Sequence, residues 1–157
     1  MAICAEIGSV QVSRITESAT IPTRAHITDA GYDLYADFEH KFILIKPGET
    51  KLVGTGIKIA IPRGYVGLIW DRSSMGVKGI HRYAGVIDSG YRGEVKVCLH
   101  NSKQSIEAVS RSNELTVSRG DRIAQILFQE VPVFKLVETD VLVETARGAG
   151  GFGSSGK

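Results

Sequence analysis

Residues 56–61 read Gly56-Ile57-Lys58-Ile59-Ala60-Ile61, and their three isoleucines occupy alternate positions. A second stretch, Glu94-Val95-Lys96-Val97-Cys98-Leu99-His100, spaces two valines and a leucine in the same way. A period of two places apolar side chains on one face of a β-strand, whereas an amphipathic helix has a period of 3.6. Both stretches therefore predict half-buried strands.

Further β-rich runs follow along the chain, and short turn signals separate them. The runs cover residues 42–45, 65–70, 123–128 and 131–137. Turn-forming residues lie at 46–48, 62–64, 88–90 and 119–121. Many short strands at this spacing predict an all-β sandwich or barrel. One short helix is expected between Met75 and Ile80, where Gly76 and Gly79 oppose a longer one.

The composition is that of one ordinary folded domain. The chain has 157 residues, of which 43% are hydrophobic and 23% charged, and its net charge is +2. Its Lys and Arg residues are scattered, so we expect no nucleic-acid partner. We also expect no membrane partner, because no apolar run approaches a membrane span and Glu6 interrupts any secretory signal. With two cysteines and no disulfide framework, the expected location is cytoplasmic, or the host-cell interior if the protein is viral.

Several common catalytic motifs do not occur in the sequence. There is no P-loop pattern, and residues 148–153 match G-x-G-x-x-G without the βαβ unit that a dinucleotide site needs. The four histidines show no metal-ligand spacing with each other or with the cysteines. Cys98 alternates within a predicted strand and has no obvious base partner, which disfavours a thiol nucleophile.

Polar groups instead gather in four loops that punctuate the strands. Residues 30–36 place Asp33 just after a glycine, and residues 71–76 combine one guanidinium with two hydroxyls, which suit phosphate oxygens. Residues 85–94 read as a tight hairpin with a carboxylate at its shoulder, and residues 120–125 as a turn leading into a strand. Taken singly, each has an ordinary structural explanation as a strand entry or a polar turn.

The end of the sequence differs in composition from the rest. Residues 147–157 contain five glycines, and Phe152 is their only large apolar residue. On composition alone this stretch predicts a disordered tail, because glycine loses the most backbone entropy on ordering.

Together, and in this order, the four loops and the tail resemble the five motifs of the trimeric dUTPases over roughly residues 30–156. The resemblance implies an all-β, jelly-roll-like distorted β-barrel in residues 1–146, with residues 147–157 as a flexible arm closing over the active site. It implies a homotrimer whose active sites are shared between subunits. It also implies Mg²⁺-assisted hydrolysis of dUTP to dUMP and pyrophosphate, which limits uracil incorporation into DNA and supplies dUMP for thymidylate synthesis.

The resemblance also implies a role for each matching residue. Asp88 would activate the attacking water, Gln125 would contact phosphate or that water, and Ser73 would approach the scissile bridge most closely. Asp33 would reach Mg²⁺ through water, as suits a cation that dehydrates reluctantly. The implied substrate-binding residues are Arg72, Ser74, the backbone of Ala84, Gly85 and Val86, Tyr91 against the deoxyribose, Arg147 on the γ-phosphate, Phe152 on uracil, and Gly153, Ser154 and Ser155 over the phosphates.

The sequence also departs from the family pattern, and two other interpretations remain open. Asp71 stands where the family usually has Pro or Gly, Arg82 where some members have Asn, and Asp29 and Ala149 replace smaller or hydroxyl residues. One alternative is a dCTP deaminase, although its catalytic Glu would fall at Cys98. The other is a jelly-roll protein that binds nucleotide without useful turnover.

Overall fold

The computed structural model describes residues 8–105 and 113–151, so the predictions for Phe152, Gly153, Ser154 and Ser155 lie outside the described residues. Within those ranges the chain is almost entirely β-structure, with one short helix. The strands are β1 (Gln11–Arg14), β2 (Tyr32–Tyr35), β3 (Phe42–Ile45), β4 (Thr50–Gly54), β5 (Ile57–Ala60), β6 (Tyr65–Trp70), β7 (Ile80–Tyr83), β8 (Val86–Ile87), β9 (Lys96–Asn101), β10 (Leu115–Ser118) and β11 (Arg122–Glu130), and the helix is α1 (Ser73–Gly76).

The strands pair antiparallel in four sheets. Two sheets are simple pairs, β1-β5 and β10-β3. A four-stranded sheet has the order β2-β11-β6-β8, and a three-stranded sheet has the order β4-β9-β7. Neighbours in the sheets are far apart in sequence, as in jelly rolls, and the predicted all-β, jelly-roll-like class is confirmed.

The core lies between the inner faces of these sheets and follows the alternation seen in the sequence. Ile57, Ile59 and Ile61 are buried, while Lys58 between them is exposed. Val95, Val97 and Leu99 are likewise buried along β9. Burying one such side chain contributes about 1.5–3 kcal/mol, so this alternation fixes which face of each strand points inward.

Two local predictions are wrong. Residues 85–94 do not form a hairpin, because β8 pairs with β6 whereas β9 pairs with β4 and β7. Residues 131–137 form no strand, and none of the described strands pairs with them. The short helix is confirmed at a slightly earlier position, Ser73–Gly76.

The segment after β11, residues 131–145, has no regular secondary structure and is exposed throughout. Its attachment includes a hydrogen bond from the Val131 amide to the Gly64 carbonyl, 2.7 Å long. Its apolar side chains are highly exposed to solvent, with exposed fractions of 90% for Val133, 93% for Leu136 and 94% for Val143. Among the residues with described structure, no helix is long and apolar enough to cross a membrane.

Candidate active site

The candidate site is a cleft of about 480 Å³ at the edge strand β2. The pairing of three strands forms its base, since Gln125 of β11 lies opposite both Asp33 of β2 and Trp70 of β6. Arg72 follows Trp70 by two residues and so enters the same end of the sheet. The cleft therefore collects side chains that are far apart in sequence, such as Asp33 and Gln125.

Asp33 is the most strongly bonded carboxylate of the cleft. Its Oδ1 accepts a hydrogen bond from Arg72 Nε at 2.8 Å, and its Oδ2 accepts one from Arg122 Nη1 at 3.3 Å. The Asp33 side chain is 17% exposed and that of Arg72 22%, so their ion pair is partly shielded from water. The two guanidiniums fix the carboxylate, and their remaining N–H groups are donors of the kind that bind phosphate oxygens.

The segment after β6 presents two hydroxyls beside these cations. Arg72 is extended, with φ −82° and ψ 142°, and α1 begins at the next residue. Ser73 and Ser74 are exposed in the first turn and both line the cleft. Arg72 Nη1 donates to Ser74 Oγ at 3.2 Å, which joins guanidinium and hydroxyl into one donor surface.

Gln125 is held in one orientation by its surroundings. Its Nε2 donates to the Asp71 carbonyl at 2.8 Å. Its Oε1 lies against Gly31, where an added Cβ would also stand 3.0 Å from Gln125 Cδ. One of the two amide hydrogens binds the Asp71 carbonyl, which fixes the orientation of the amide and leaves its oxygen able to accept a hydrogen bond. Gln125 is therefore oriented to accept a hydrogen bond in the cleft.

Asp88 lies in the loop between β8 and β9, on the opposite edge of the four-stranded sheet. Its side chain is exposed, and its carbonyl accepts a hydrogen bond from the Tyr91 amide at 3.0 Å. The Tyr91 hydroxyl donates to the Glu94 carbonyl at 3.0 Å, and its ring covers Gly93, where a Cβ would collide with it. This loop is thus a compact unit with an outward carboxylate and an exposed aromatic ring.

Two residues with positive φ shape the backbone just before this loop. Ala84 has φ 60° and Gly85 has φ 111°, a region that disfavours residues with a Cβ. The Gly85 carbonyl accepts from the Ile69 amide at 2.8 Å, and the Ala84 carbonyl accepts from Arg82 Nη1 at 2.9 Å. Strain of this kind is typical of functional loops, and here it presents the backbone of residues 84–86 at the sheet edge.

A sequence model of the dUTPase family matches residues 17–156. The chain belongs to the dUTPase family. A relative from Nocardia farcinica, the deoxyuridine 5'-triphosphate nucleotidohydrolase, is 44% identical over 155 residues, which is 96% of this chain and 87% of that protein. The enzyme of the same name from Debaryomyces hansenii is 43% identical, over 95% of this chain and 88% of its own length.

Solved dUTPase structures share the fold. The Staphylococcus bacteriophage 80alpha dUTPase with dUpNHpp superposes with a TM-score of 0.85 at 27% identity, covering 95% of this chain and 99% of that one. A mutant dUTPase of the S. aureus phage phi11, described with a coordinated structural Mg(II) ion, has a TM-score of 0.78 at 25% identity. It covers 87% of this chain and 100% of its own.

Five of the residues predicted from the dUTPase motifs meet in the cleft, and the other predicted residues within the described ranges do not. Those brought together are Asp33, Arg72, Ser73, Ser74 and Gln125. The cleft lining does not include the predicted residues of the 84–91 loop, Ala84, Gly85, Val86, Asp88 and Tyr91, or Arg147 of the tail.

Arg147 makes only local contacts among those described. Its Nε donates to the Gly150 carbonyl at 3.0 Å, and the Gly148 amide donates to the Thr145 carbonyl at 2.9 Å. These bonds form a small exposed turn at the start of the glycine-rich tail. The guanidinium therefore points to no partner elsewhere in the described chain and remains available to a ligand.

Sequence reasoning missed Arg122 as a member of this cleft. Arg122 lies three residues before Gln125 in the sequence, which was the available indication. Only the pairing of β11 with β2 shows that it lies close to Asp33. β11 also has a register shift between Arg122 and Ala124. Such a bulge changes the direction of the side chains, and the local sequence gives no indication of it.

The departure at Asp71 is less disruptive than its charge suggests. Its Oδ2 lies 2.9 Å from His81 Nδ1, and its Oδ1 accepts from the Arg82 amide at 2.8 Å. The carboxylate therefore faces β7 and not the phosphate donors. Arg82 itself lies over the Trp70 ring, with its Cζ 5.0 Å from the ring centroid.

Proposed function

We propose that this chain hydrolyses dUTP to dUMP and pyrophosphate, in sites that three copies of the chain build together. Membership of the dUTPase family and relatives named deoxyuridine 5'-triphosphate nucleotidohydrolase support the reaction. A phage dUTPase with dUpNHpp bound and the same fold supports the substrate class. In a cell this activity would limit uracil incorporation into DNA and supply dUMP for thymidylate synthesis.

The observation that carries the proposal is the division of the predicted site into two groups. Asp33, Arg72 and Gln125 form the cleft, whereas Asp88 lies across the sheet. β2 and β8 are three strand spacings apart in the order β2-β11-β6-β8, about 14 Å. Asp88 also stands four residues along β6 from the row of Asp33, about 13 Å. The separation of the two carboxylates across the sheet is therefore about 20 Å.

That separation is too large for one chain to complete the site. A general base must come within about 3 Å of the water it activates, or act through one more water. The cations and hydroxyls of the cleft would bind the triphosphate, so the base has to come from another molecule. A cyclic trimer meets this need, because it repeats the same contact three times and closes.

In this arrangement each chain contributes a different part to each site. One copy supplies Asp33, Arg72, Ser73 and Gln125. A second supplies Asp88 and Tyr91, and a third supplies the arm, residues 147–157, with Arg147. The exposed apolar segment before the arm supports such a crossing, because side chains as open as Val133 and Leu136 gain from burial against a neighbouring copy.

The residues of the assembled site have distinct tasks. Arg72 and the hydroxyls of Ser73 and Ser74 bind phosphate oxygens, and these charge-assisted hydrogen bonds orient the α-phosphate for in-line attack. Asp88 accepts a proton from the attacking water. Gln125, with its oxygen free, holds that water by accepting its second hydrogen. Tyr91 packs against the deoxyribose and excludes a 2′-hydroxyl, while the backbone of residues 84–86 pairs with uracil.

The acidic groups of the cleft suit a hydrated magnesium ion. Asp33 and Asp29 are the carboxylates among its lining residues. No group of three or more His, Cys, Asp or Glu residues converges in the described ranges 8–105 and 113–151. Mg²⁺ typically keeps several waters and binds one or two carboxylates together with substrate phosphates. Asp33 would hold it through water, and the ion would neutralise charge on the triphosphate.

A substitution at Asp88 tests the catalytic assignment. Asp88→Asn keeps the shape of the loop and removes the base, so kcat should fall by roughly 10²–10⁴-fold with little change in KM. Glu17→Gln, at an exposed position outside the cleft and the segment before the arm, is the control and should keep full activity. The assay measures pyrophosphate release from dUTP, with UTP, dTTP and dCTP as poor substrates. Retention of activity within about threefold in Asp88→Asn would reject the role of Asp88.

Mixing two inactive chains tests the shared site. Asp88→Asn lacks the base, and a chain truncated after Thr145 lacks the arm. In randomly mixed trimers an intact site needs its Asp88 from one kind of chain and its arm from the other, so roughly a quarter of sites should work. Native mass spectrometry verifies that mixed trimers form. Inactive mixed trimers would show that base and arm come from one chain.

A further inference from the structure

Two histidines stand directly opposite each other on the outer face of the β4-β9-β7 sheet. His81 of β7 is the register partner of His100 of β9. Their strand neighbours Ile80 and Leu99 are buried, so both histidine side chains project outward. The Cβ atoms of directly opposed residues lie about 4.5–5.5 Å apart, which brings two imidazoles within reach of one small ligand.

Each imidazole is anchored through Nδ1 on the side away from the other. His81 Nδ1 lies 2.9 Å from Asp71 Oδ2. Asp71 also binds the Arg82 amide, which belongs to the edge of β7 that faces away from β9. His100 Nδ1 lies 3.0 Å from Thr50 Oγ1, on β4 at the other side of β9.

The geometry of the imidazole ring, together with these two hydrogen bonds, determines where the Nε2 atoms point. In imidazole, Nδ1 and Nε2 lie on opposite sides of the axis through Cβ and Cγ. Turning both Nδ1 atoms outward therefore turns both Nε2 atoms toward each other, above the sheet. Tyr83 stacks on His100 with centroids 4.8 Å apart and planes 19° apart, which holds the His100 ring in this orientation.

The anchors also favour the tautomer that binds metal. An ionised carboxylate only accepts hydrogen bonds, so in the neutral ring the contact with Asp71 places the His81 proton on Nδ1 and leaves the lone pair on Nε2. A carboxylate behind a histidine in this way orients the ring and raises its basicity in many metal sites. The Thr50 hydroxyl can accept the Nδ1 proton of His100 in the same manner.

From this convergence we propose that His81 and His100 bind a divalent transition-metal ion such as Zn²⁺, Ni²⁺ or Cu²⁺ through their Nε2 atoms. Imidazole nitrogen suits these ions better than Mg²⁺, which prefers oxygen. Two nitrogens on a tetrahedral ion at about 2.0–2.1 Å are about 3.3 Å apart, a spacing that directly opposed side chains can reach. Water would occupy the remaining positions, since no third ligand of the searched types converges there in residues 8–105 and 113–151.

Calorimetric titration of Zn²⁺ into metal-free protein, in excess Mg²⁺ to occupy oxygen sites, tests the proposal. We expect one ion per chain, and loss of this binding in His81→Gln and in His100→Gln. Asp71→Asn should weaken it roughly 10–100-fold, because it removes the charge behind His81. His26→Gln and His40→Gln are matched controls at exposed positions and should bind as the unsubstituted protein does.

A second measurement uses the unsubstituted protein and does not depend on how the variants fold. Long-range ¹H–¹⁵N spectra of the imidazoles should show Zn²⁺ shifting the Nε2 signals of His81 and His100 alone among the four histidines. Unchanged binding in both variants, or shifts confined to other histidines, would overturn the proposal. Failure to detect binding at millimolar Zn²⁺ would overturn it as well.

Discussion

Gly31 is the position where a single methyl group should disturb the site most directly. A Cβ built on Gly31 would stand 3.0 Å from Gln125 Cδ and 3.2 Å from Gln125 Cβ, and closer still to Oε1. No positive φ is associated with this glycine, so the conflict is steric, and Gln125 supplies the three nearest atoms. In Gly31→Ala the Gln125 side chain must rotate, and its 2.8 Å hydrogen bond to the Asp71 carbonyl is lost.

The size of the effect follows from that hydrogen bond. A typical intramolecular hydrogen bond contributes about 0.5–1.5 kcal/mol, and this one lies in a partly exposed cleft. If Gln125 orients the attacking water, loss of this hydrogen bond raises the activation free energy by the same amount, about 0.5–1.5 kcal/mol. At about 1.36 kcal/mol per factor of ten, kcat then falls by about 2- to 13-fold. KM should change less, because the phosphate donors Arg72 and Ser73 are untouched.

A double-mutant cycle isolates the interaction between the two positions. Gly31→Ala, Gln125→Ala and the double variant are compared by pyrophosphate release and by urea unfolding. We expect Gly31→Ala to be nearly silent once Gln125 is already Ala, since there is nothing left to displace. Gly8→Ala, where an added Cβ meets no atom within 4 Å, is the control. Equal losses from Gly31→Ala in both backgrounds would refute the reasoning.

Three further predictions concern stability. Arg72→Gln should lower the free energy of unfolding in urea by about 1.5–3 kcal/mol, because Arg72 binds Asp33 in a position shielded from water. Arg122→Gln should lower it by only about 0.2–1 kcal/mol, because Arg122 is half exposed. Equal losses in the two variants would contradict this ranking. Asp37 is 5% exposed and accepts hydrogen bonds from two hydroxyls, so Asp37→Ala, which leaves them unpaired, should cost about 1–3 kcal/mol in the same assay. The hydrogen bond from the Lys46 amide lowers the pKa of Glu49. The ionised carboxylate therefore stabilises the fold above its ordinary pKa, and this stabilisation is lost as pH falls. The Tm difference between Glu49→Gln and the unsubstituted protein should shrink on acidification, and a constant difference would contradict this prediction.

Strand positions were predictable for some of the strands. Residues 42–45 and 65–70 were predicted with the observed bounds, because β-rich runs bounded by turn residues indicate where a strand begins and ends. Strands β4 and β10 were not identified, although each buries a valine. Segment 131–137 carries the same β-rich signal and yet forms no strand in the described chain. A local pattern reports that a segment can pair, but the partner is a property of the tertiary or quaternary structure.

The residue-level site was predictable only through resemblance to the dUTPase motifs. Taken singly, Asp33, the 71–76 loop and Gln125 each had an ordinary structural interpretation, and neither composition nor periodicity brings them together. The pairing of β2 with β11, between residues 32–35 and 122–126, is a long-range contact that creates the cleft. The part played by Arg122 depends further on a bulge, which explains why it was missed.

The Asp71 departure shows how a site can tolerate a charge at a position where the family usually has Pro or Gly. The backbone and the side chain of this residue act in different places. Its carbonyl accepts from Gln125 in the cleft, whereas its carboxylate bonds His81 and the Arg82 amide at the edge of β7. Substrate would thus meet the Asp71 peptide, a group that every amino acid has, and not the acid. The carboxylate instead links the end of β6 to β7 and orients His81, which is one ligand of the proposed metal site. Aspartate at this position therefore adds a structural contact without placing a negative charge beside Arg72, Ser73 and Ser74.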